Sequence, residues 1–335
     1  MSQPKPKFPL SRQTAYAAVA TAAVAALVAA ATLSHRPHST ASNARGGVLR
    51  VANQKGGTRA LMEAAGVLQG APYKVEWSLF PAASPLLEAL GADAVDTGAV
   101  GEAPFAFAVS GGAKIRAVQA TRTSGDDRES AIVAPANSPI RTVQDLKGRR
   151  IGVIRGSAGH DLILRVLEHA GLKPADVQYV FLDNGESKAA LSTGAIDAWA
   201  TWGSYVGIAI LHDNDRIVAD VAGLKRGVGV QVATDEAIAD KGPMLDDFLR
   251  RLAEAHRWAH THKEAYAQVL ARETGVPLDV ARFTVQTDYT PVEINPALVA
   301  EAEQTFDRYQ RAGVISKVPD LSGAYDPQFN DAVRP

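Results

Sequence analysis

The chain has 335 residues, 46% apolar and 21% charged, with a formal charge of −1. This composition suits one large or two medium globular domains and gives no electrostatic footprint for nucleic acid. There is no cysteine, which excludes disulfides, thiolate metal sites, a cysteine nucleophile and a lipid-modified N-terminal cysteine.

In chain order, the first segment reads as a leader. Lys5, Lys7 and Arg12 precede an uncharged Ala/Val-rich run over residues 16–33, and polar residues follow from Ser34. That order predicts an export signal over 1–33, with Ala29-Ala30-Ala31 and Ser42-Asn43-Ala44 as small-x-small cleavage candidates. The run is also near the minimum spanning length, so a retained N-terminal anchor stays open. Either way the remainder is expected outside the cytoplasm. Residues 34–47 read as a polar linker.

Alternating or short apolar runs predict strands at 48–52, 73–80, 94–98, 115–120 and 129–134, with helical spacing between the first of them. A second unit repeats the pattern: strand 150–154, helix 158–170, strand 177–182, helix 185–193, strand 196–200, helix 203–211 and strand 216–219. The chain returns through an alternating strand at 228–233, and 243–311 reads as mainly helical. Repeated β-α-β units predict an α/β fold with two parallel-rich sheets flanked by helices around a central cleft. The expected lobes are 48–134 with 228–335, and 135–227, hinged near 134–137 and 228–233.

Ligands of such folds bind beyond the carboxyl ends of parallel strands, at helix N-termini. The turns expected to line the cleft are therefore Gln54–Thr58, Pro81–Ser84, Gly101–Pro104, Gly156–His160 and Thr201–Ser204. The most informative is Gly156-Ser157-Ala158-Gly159-His160, a small-residue turn between an apolar strand and an amphipathic helix. It lacks the lysine of a nucleotide-hydrolysing loop, so it suits an anion that is held rather than cleaved.

Along these turns the chain resembles the periplasmic substrate-binding proteins of ABC importers, in the aliphatic sulfonate, taurine and nitrate group. The matching text is Gln54-Lys55-Gly56, Phe80-Pro81-Ala82, Leu86-Leu87-Glu88-Ala89-Leu90, Asp96-Thr97-Gly98, Gly101-Glu102-Ala103-Pro104, Asn137-Ser138-Pro139-Ile140, Asp145-Leu146-Lys147-Gly148, the Gly156–His160 turn and Asp197-Ala198-Trp199-Ala200-Thr201-Trp202. The resemblance implies a two-lobed type II periplasmic-binding-protein fold. It also implies a monomer that captures a small organic anion and hands it to a membrane ABC permease. An aliphatic sulfonate is the expected ligand; another small anion or a thiamine-precursor-like ring is the alternative. Two departures touch the turns. Gly203-Ser204 stands where the pattern has Asp-Pro after the second Trp, and Ala158-Gly159 stands where a polar and then a small apolar residue are usual.

The expected ligand contacts are Gln54, Gly56, Ala82, Gly101, Glu102, Ser157, Ala158, Gly159, His160 and Trp202. Each has a plainer alternative. Ser157 can be a helix cap alone, and Gln54 can close its turn. Glu102 can be an acid favoured at a helix start. Of Trp199 and Trp202, which point to opposite sides of a strand, one belongs in the core and Trp202 is the better cover for a ligand tail. His256 and His260 share a helix face without a third ligand, so a solvated face is expected rather than a metal site. No cofactor is expected. The rival class is an enzyme on this fold handling a phosphate-bearing substrate; no Walker, dinucleotide or nucleophile-elbow motif supports it.

Overall fold

A computed structural model describes residues 47–55 and 57–334. The expected leader, most of the linker, and Gly56 lie outside the described residues. The first βα unit runs β1 (Val48–Gln54), α1 (Gly57–Ala64), β2 (Lys74–Phe80), α2 (Ala83–Gly91), β3 (Thr97–Gly101) and α3 (Glu102–Ser110), then β4 (Ile115–Gly125). The second runs β5 (Ser130–Pro135), β6 (Arg150–Val153), α4 (Ala158–His169), β7 (Gln178–Phe181), α5 (Asn184–Ser192), β8 (Ala198–Trp202), α6 (Ser204–Leu211) and β9 (Asp215–Ala219). The chain then returns through β10 (Val228–Thr234), α7 (Asp235–Ala259), α8 (Lys263–Thr274), α9 (Leu278–Thr284), β11 (Thr287–Val292) and α10 (Pro296–Arg311).

Two sheets result, ordered β11-β4-β10-β3-β1-β2 and β7-β6-β8-β5-β9. Both are mixed. β1 pairs parallel with β2 and β3, and β6 with β7 and β8. β10, β4 and β11 join antiparallel, as β5 does to β8 and β9. The parallel-rich expectation therefore holds for the βα units and is corrected for the strands that carry the chain between sheets. The sheets place β5 with the second unit rather than, as expected, with the first. β5 is a member of the second sheet and β10 of the first, so the chain changes sheet at 126–129 and again at 220–227.

Each sheet is buried by the apolar stripes of its helices. Phe248, Leu249 and Leu252 of α7 lie against Val51, Val118 and Ala233 on one face of the first sheet. On its other face, Leu86 and Leu90 of α2 pack with Phe105 of α3 and Phe306 of α10. Leu162, Ile163 and Leu167 of α4 cover Ile132, Ile151 and Ala198 of the second. Each fully buried side chain of this size contributes about 1.5–3 kcal/mol. Helix α7 has a non-helical residue at Lys241, just before Pro243, whose ring cannot continue the hydrogen-bond ladder.

The two βα units are tied by the same device. The Arg50 backbone N–H donates to an Asp96 carboxylate oxygen at 2.7 Å and its Nε to the other at 2.9 Å, while the Asp96 N–H returns to the Arg50 carbonyl at 2.8 Å. Arg150 and Asp197 repeat this with N–H to carboxylate at 2.8 Å, Nε at 3.1 Å and the return bond at 2.8 Å. In each case the aspartate sits one residue before a strand, β3 or β8, and locks it to β1 or β6.

Candidate functional site

Between the sheets lies a cavity of about 310 Å³. At least one residue of every strand-end turn named from the sequence lines it: Gln54, Gly57 and Thr58; Ala82 to Ser84; Gly101 and Pro104; Ser157 and Ala158; Trp202 to Ser204. The cavity thus receives the N-termini of α1, α2, α3, α4 and α6. A helix start carries unbonded N–H groups and a partial positive charge, and several aimed at one point make a cradle for an anion.

The caps show which donors are open. Helices α2, α3 and α6 begin after Ala82, Gly101 and Gly203 with no side-chain cap. Pro85 and Pro104 fill the third helical positions, leaving two N–H groups at each of α2 and α3. In α4 the Ser157 hydroxyl accepts from the His160 N–H at 3.3 Å, and the Ser157 carbonyl accepts from the Asp161 N–H at 3.1 Å. Among the described residues no acceptor is bonded to the N–H of Ala158 or Gly159. Ser157 is therefore a cap and a cavity residue at once. Gly203 has φ 59 and ψ −133, a conformation that resists a Cβ; this accounts for glycine where the resembling pattern has aspartate.

Several expected contacts fall elsewhere. His160 is 3% exposed and is not on the cavity lining. Its Nδ1 accepts from the Gly156 N–H at 3.1 Å, and its ring lies among Tyr179, Phe181 and Tyr309. Burial, with Arg155 nearby, pushes its pKa down to about 4, so the ring is neutral and serves to fix the turn. Gly159 faces the strand behind it: a Cβ there would stand 2.6 Å from the Ala200 carbonyl oxygen. Its absent side chain lets α4 close on β8. The expected side-chain contact of His160 is corrected by the direction of the helix, which turns this third residue away from the cleft, while the backbone N–H expected of Gly159 stays without an acceptor among the described residues.

Glu102 lines a second cavity, together with Asp161, Glu301 and Arg308. Burial raises its pKa to about 7, a nearby Thr305 hydroxyl opposes this, and Asp161 and Glu301 add to it. Arg308 of α10 reaches Asp161 of α4 at 2.6 Å, and the Tyr309 hydroxyl donates to the Ser157 carbonyl at 3.1 Å. These bonds hold the α4 start against the first sheet's helices. Trp202 lines the main cavity while Trp199 is 1% exposed in the core, the division expected of the pair.

The deeper walls come from residues that the sequence did not single out as ligand contacts. Leu61, Gln119, Gln231, Leu252, Tyr266 and Tyr289 all line the cavity. So does His256, whose solvated-face expectation is corrected: it lies beside Tyr289 at 5.9 Å, and burial, with His260 and Arg257 nearby, pushes its pKa down to about 4. The Tyr289 hydroxyl donates to Glu129 at 3.1 Å, a carboxyl that burial pushes upward. Lys55 of the first βα unit stands 4.8 Å from the Tyr205 ring of the second, across the cavity mouth.

Two mixed sheets with a cleft at the carboxyl ends of their parallel strands define a periplasmic-binding-protein fold. Comparison with known proteins agrees: the chain belongs to the NMT1/THI5-like family, whose profile matches residues 79–265. It is 30% identical over 300 residues to an Escherichia coli (strain K12) protein named for binding aliphatic sulfonates, covering 88% of this chain and 93% of the relative. The alkanesulfonate-binding protein SsuA from Xanthomonas axonopodis pv. citri, solved bound to MOPS, superposes with a TM-score of 0.77 at 27% identity, over 85% of this chain and 99% of that one. The desulfurization enzyme DSZB shares the fold alone, with a TM-score of 0.64 at 19% identity over 86% of this chain and 99% of that one.

Proposed function

We propose that the protein is an extracytoplasmic solute-binding protein that captures a small organic anion, an aliphatic sulfonate, and delivers it to a membrane ABC permease. The convergence of helix N-termini on one cavity carries this reading, because backbone donors replace the water lost by a buried oxyanion. Donors of this kind neutralise the anion without a full counter-charge, which leaves binding reversible. The relatives named for sulfonates support the ligand class, and the apolar inner walls suit a carbon tail. The role is binding rather than catalysis: the His160 ring is packed among Tyr179, Phe181 and Tyr309 and is not on the cavity lining. Since the fold also carries an enzyme, the assignment rests on the site and not on the architecture.

A thermal-shift panel tests it. A ligand bound only by the folded state stabilises it by about 2.7 kcal/mol at a hundred times its Kd, so alkanesulfonates should raise Tm clearly. A panel of alkanesulfonates, taurine, sulfate and nitrate that leaves Tm unmoved refutes the reading. A shift with nitrate or sulfate alone keeps the anion and rejects the organic tail.

A further inference from the structure

We propose that the inner wall of the cavity holds a subsite for a neutral hydrogen-bond donor, so that the ligand is a sulfonate whose apolar spacer ends in a hydroxyl or an amide N–H. The proposal rests on the sulfonate reading above and adds the chemistry of the far end.

Two glutamines carry it. Gln119 on β4 and Gln231 on β10 are direct partners across the antiparallel ladder, and both line the cavity. They are 2% and 4% exposed. The Gln119 Nε2 donates to the Leu249 carbonyl at 3.0 Å, and the Gln231 Nε2 donates to the Thr97 hydroxyl at 2.8 Å. The Thr97 hydroxyl in turn gives its own proton to the Val232 carbonyl at 2.8 Å. Flipping Gln119 would set its oxygen against the Leu249 carbonyl, and flipping Gln231 would cost the Thr97 hydroxyl its bond to the Val232 carbonyl. Both Oε1 atoms are consequently buried without a donor among the described residues. Buried acceptors in a built site are paired as a rule, and here two belong to cross-strand partners that both line the same cavity.

The surroundings choose a neutral donor over an ammonium. Each carboxylate on the lining is already engaged: Asp126 by Arg128, Glu129 by the Tyr289 hydroxyl, and Asp288 by Lys263. An ammonium at the glutamines would therefore be buried without a counter-charge. The length of the spacer follows from register. Gln231 opposes Ala99, two residues before Gly101 at the start of α3. Strand rise and spacing put its Cα on the order of 8 Å from that of Gly101. Leu61, Leu252, Ala259 and Leu270 line the apolar stretch that a carbon chain would occupy.

Titration calorimetry on the full protein with matched pairs tests the proposal: pentane-1-sulfonate against 4-hydroxybutane-1-sulfonate, and hexane-1-sulfonate against 5-hydroxypentane-1-sulfonate. Within a pair only a methyl and a hydroxyl differ. The hydroxylated member of at least one pair should bind about tenfold tighter or more, since a site with unpaired polar groups discriminates against a ligand lacking the partner. Gln119→Met and Gln231→Met should each erase that preference, read as the affinity ratio within a pair. Tighter or equal binding of the alkyl members by the wild-type protein overturns the donor subsite and leaves the sulfonate reading standing. Binding by neither class overturns both. The wild-type comparison decides even if a methionine variant fails to fold, and a preference that persists in both folded variants also overturns the assignment.

Discussion

The two βα units start alike and end differently. Each builds three parallel strands locked by an Arg–Asp clamp. The first sends all three following helix starts, α1, α2 and α3, to the cavity. The second sends α4 and α6, while the start of α5 is off the lining and is closed by a reciprocal capping box between Asp183 and Glu186. The clamp sets the sheet, whereas a cap can close a helix start, as at α5, or share it with the cavity, as Ser157 does at α4.

The largest expected effect tests the clamps. Asp96 is 1% exposed at its side chain and also receives Lys241 at 2.7 Å, whereas the Asp197 side chain is 26% exposed and has Arg150 as its cation. Asp96→Ala leaves two cations facing a buried gap, so urea unfolding should show a loss of about 3–5 kcal/mol. Asp197→Ala should cost about 1–2 kcal/mol. Equal losses would mean the two clamps are energetically interchangeable, against the geometry.

Next comes the helix start after the third strand, where the first unit has Glu102 and the second has Ser204. Burial lifts the Glu102 pKa from 4.5 to about 7 in the folded state. The native protein thus holds this proton more tightly than the unfolded chain. The residue costs nothing below pH 4.5, and stability is lost as pH rises from there through 7. Glu102→Gln should therefore match the wild type below pH 4.5 and exceed it at pH 8 by up to about 3 kcal/mol. A constant difference across that range would show that charge is not the cause.

A smaller effect separates the two neighbours in the α4 turn. Gly159→Ala forces a Cβ to within 2.6 Å of the Ala200 carbonyl and should cost about 1–3 kcal/mol by overpacking, read as a lower urea midpoint. Ala158 lines the cavity, so its substitution should change affinity rather than stability.

The sequence carried the sheets' parallel units and the placement of all five strand-end turns, because both follow from local pattern: short apolar runs, small-residue turns and the start of an amphipathic stripe. It did not reveal β11. Thr287–Val292 contains Asp288 and Pro291, lies in a helix-rich stretch, and becomes a strand through pairing with β4, some 160 residues earlier. With that strand went Tyr289, and with the length of α7 went the inward face of His256. Gln119 and Gln231 were invisible for a related reason: nothing local distinguishes a glutamine on a strand until register sets it opposite another. His160 shows the converse. The turn was legible, but which of its residues faced the cleft depended on the direction in which α4 leaves β6.

The most direct test of the cradle is titration calorimetry of wild type and Ala158→Pro with an alkanesulfonate. Position 158 opens α4, and Ser157 before it is extended at φ −83 and ψ 173, so proline fits without strain and removes one open N–H. The account predicts an unchanged Tm without ligand and an affinity lowered about tenfold, the worth of one charge-assisted hydrogen bond. An unchanged affinity would contradict the claim that helix starts hold the anion.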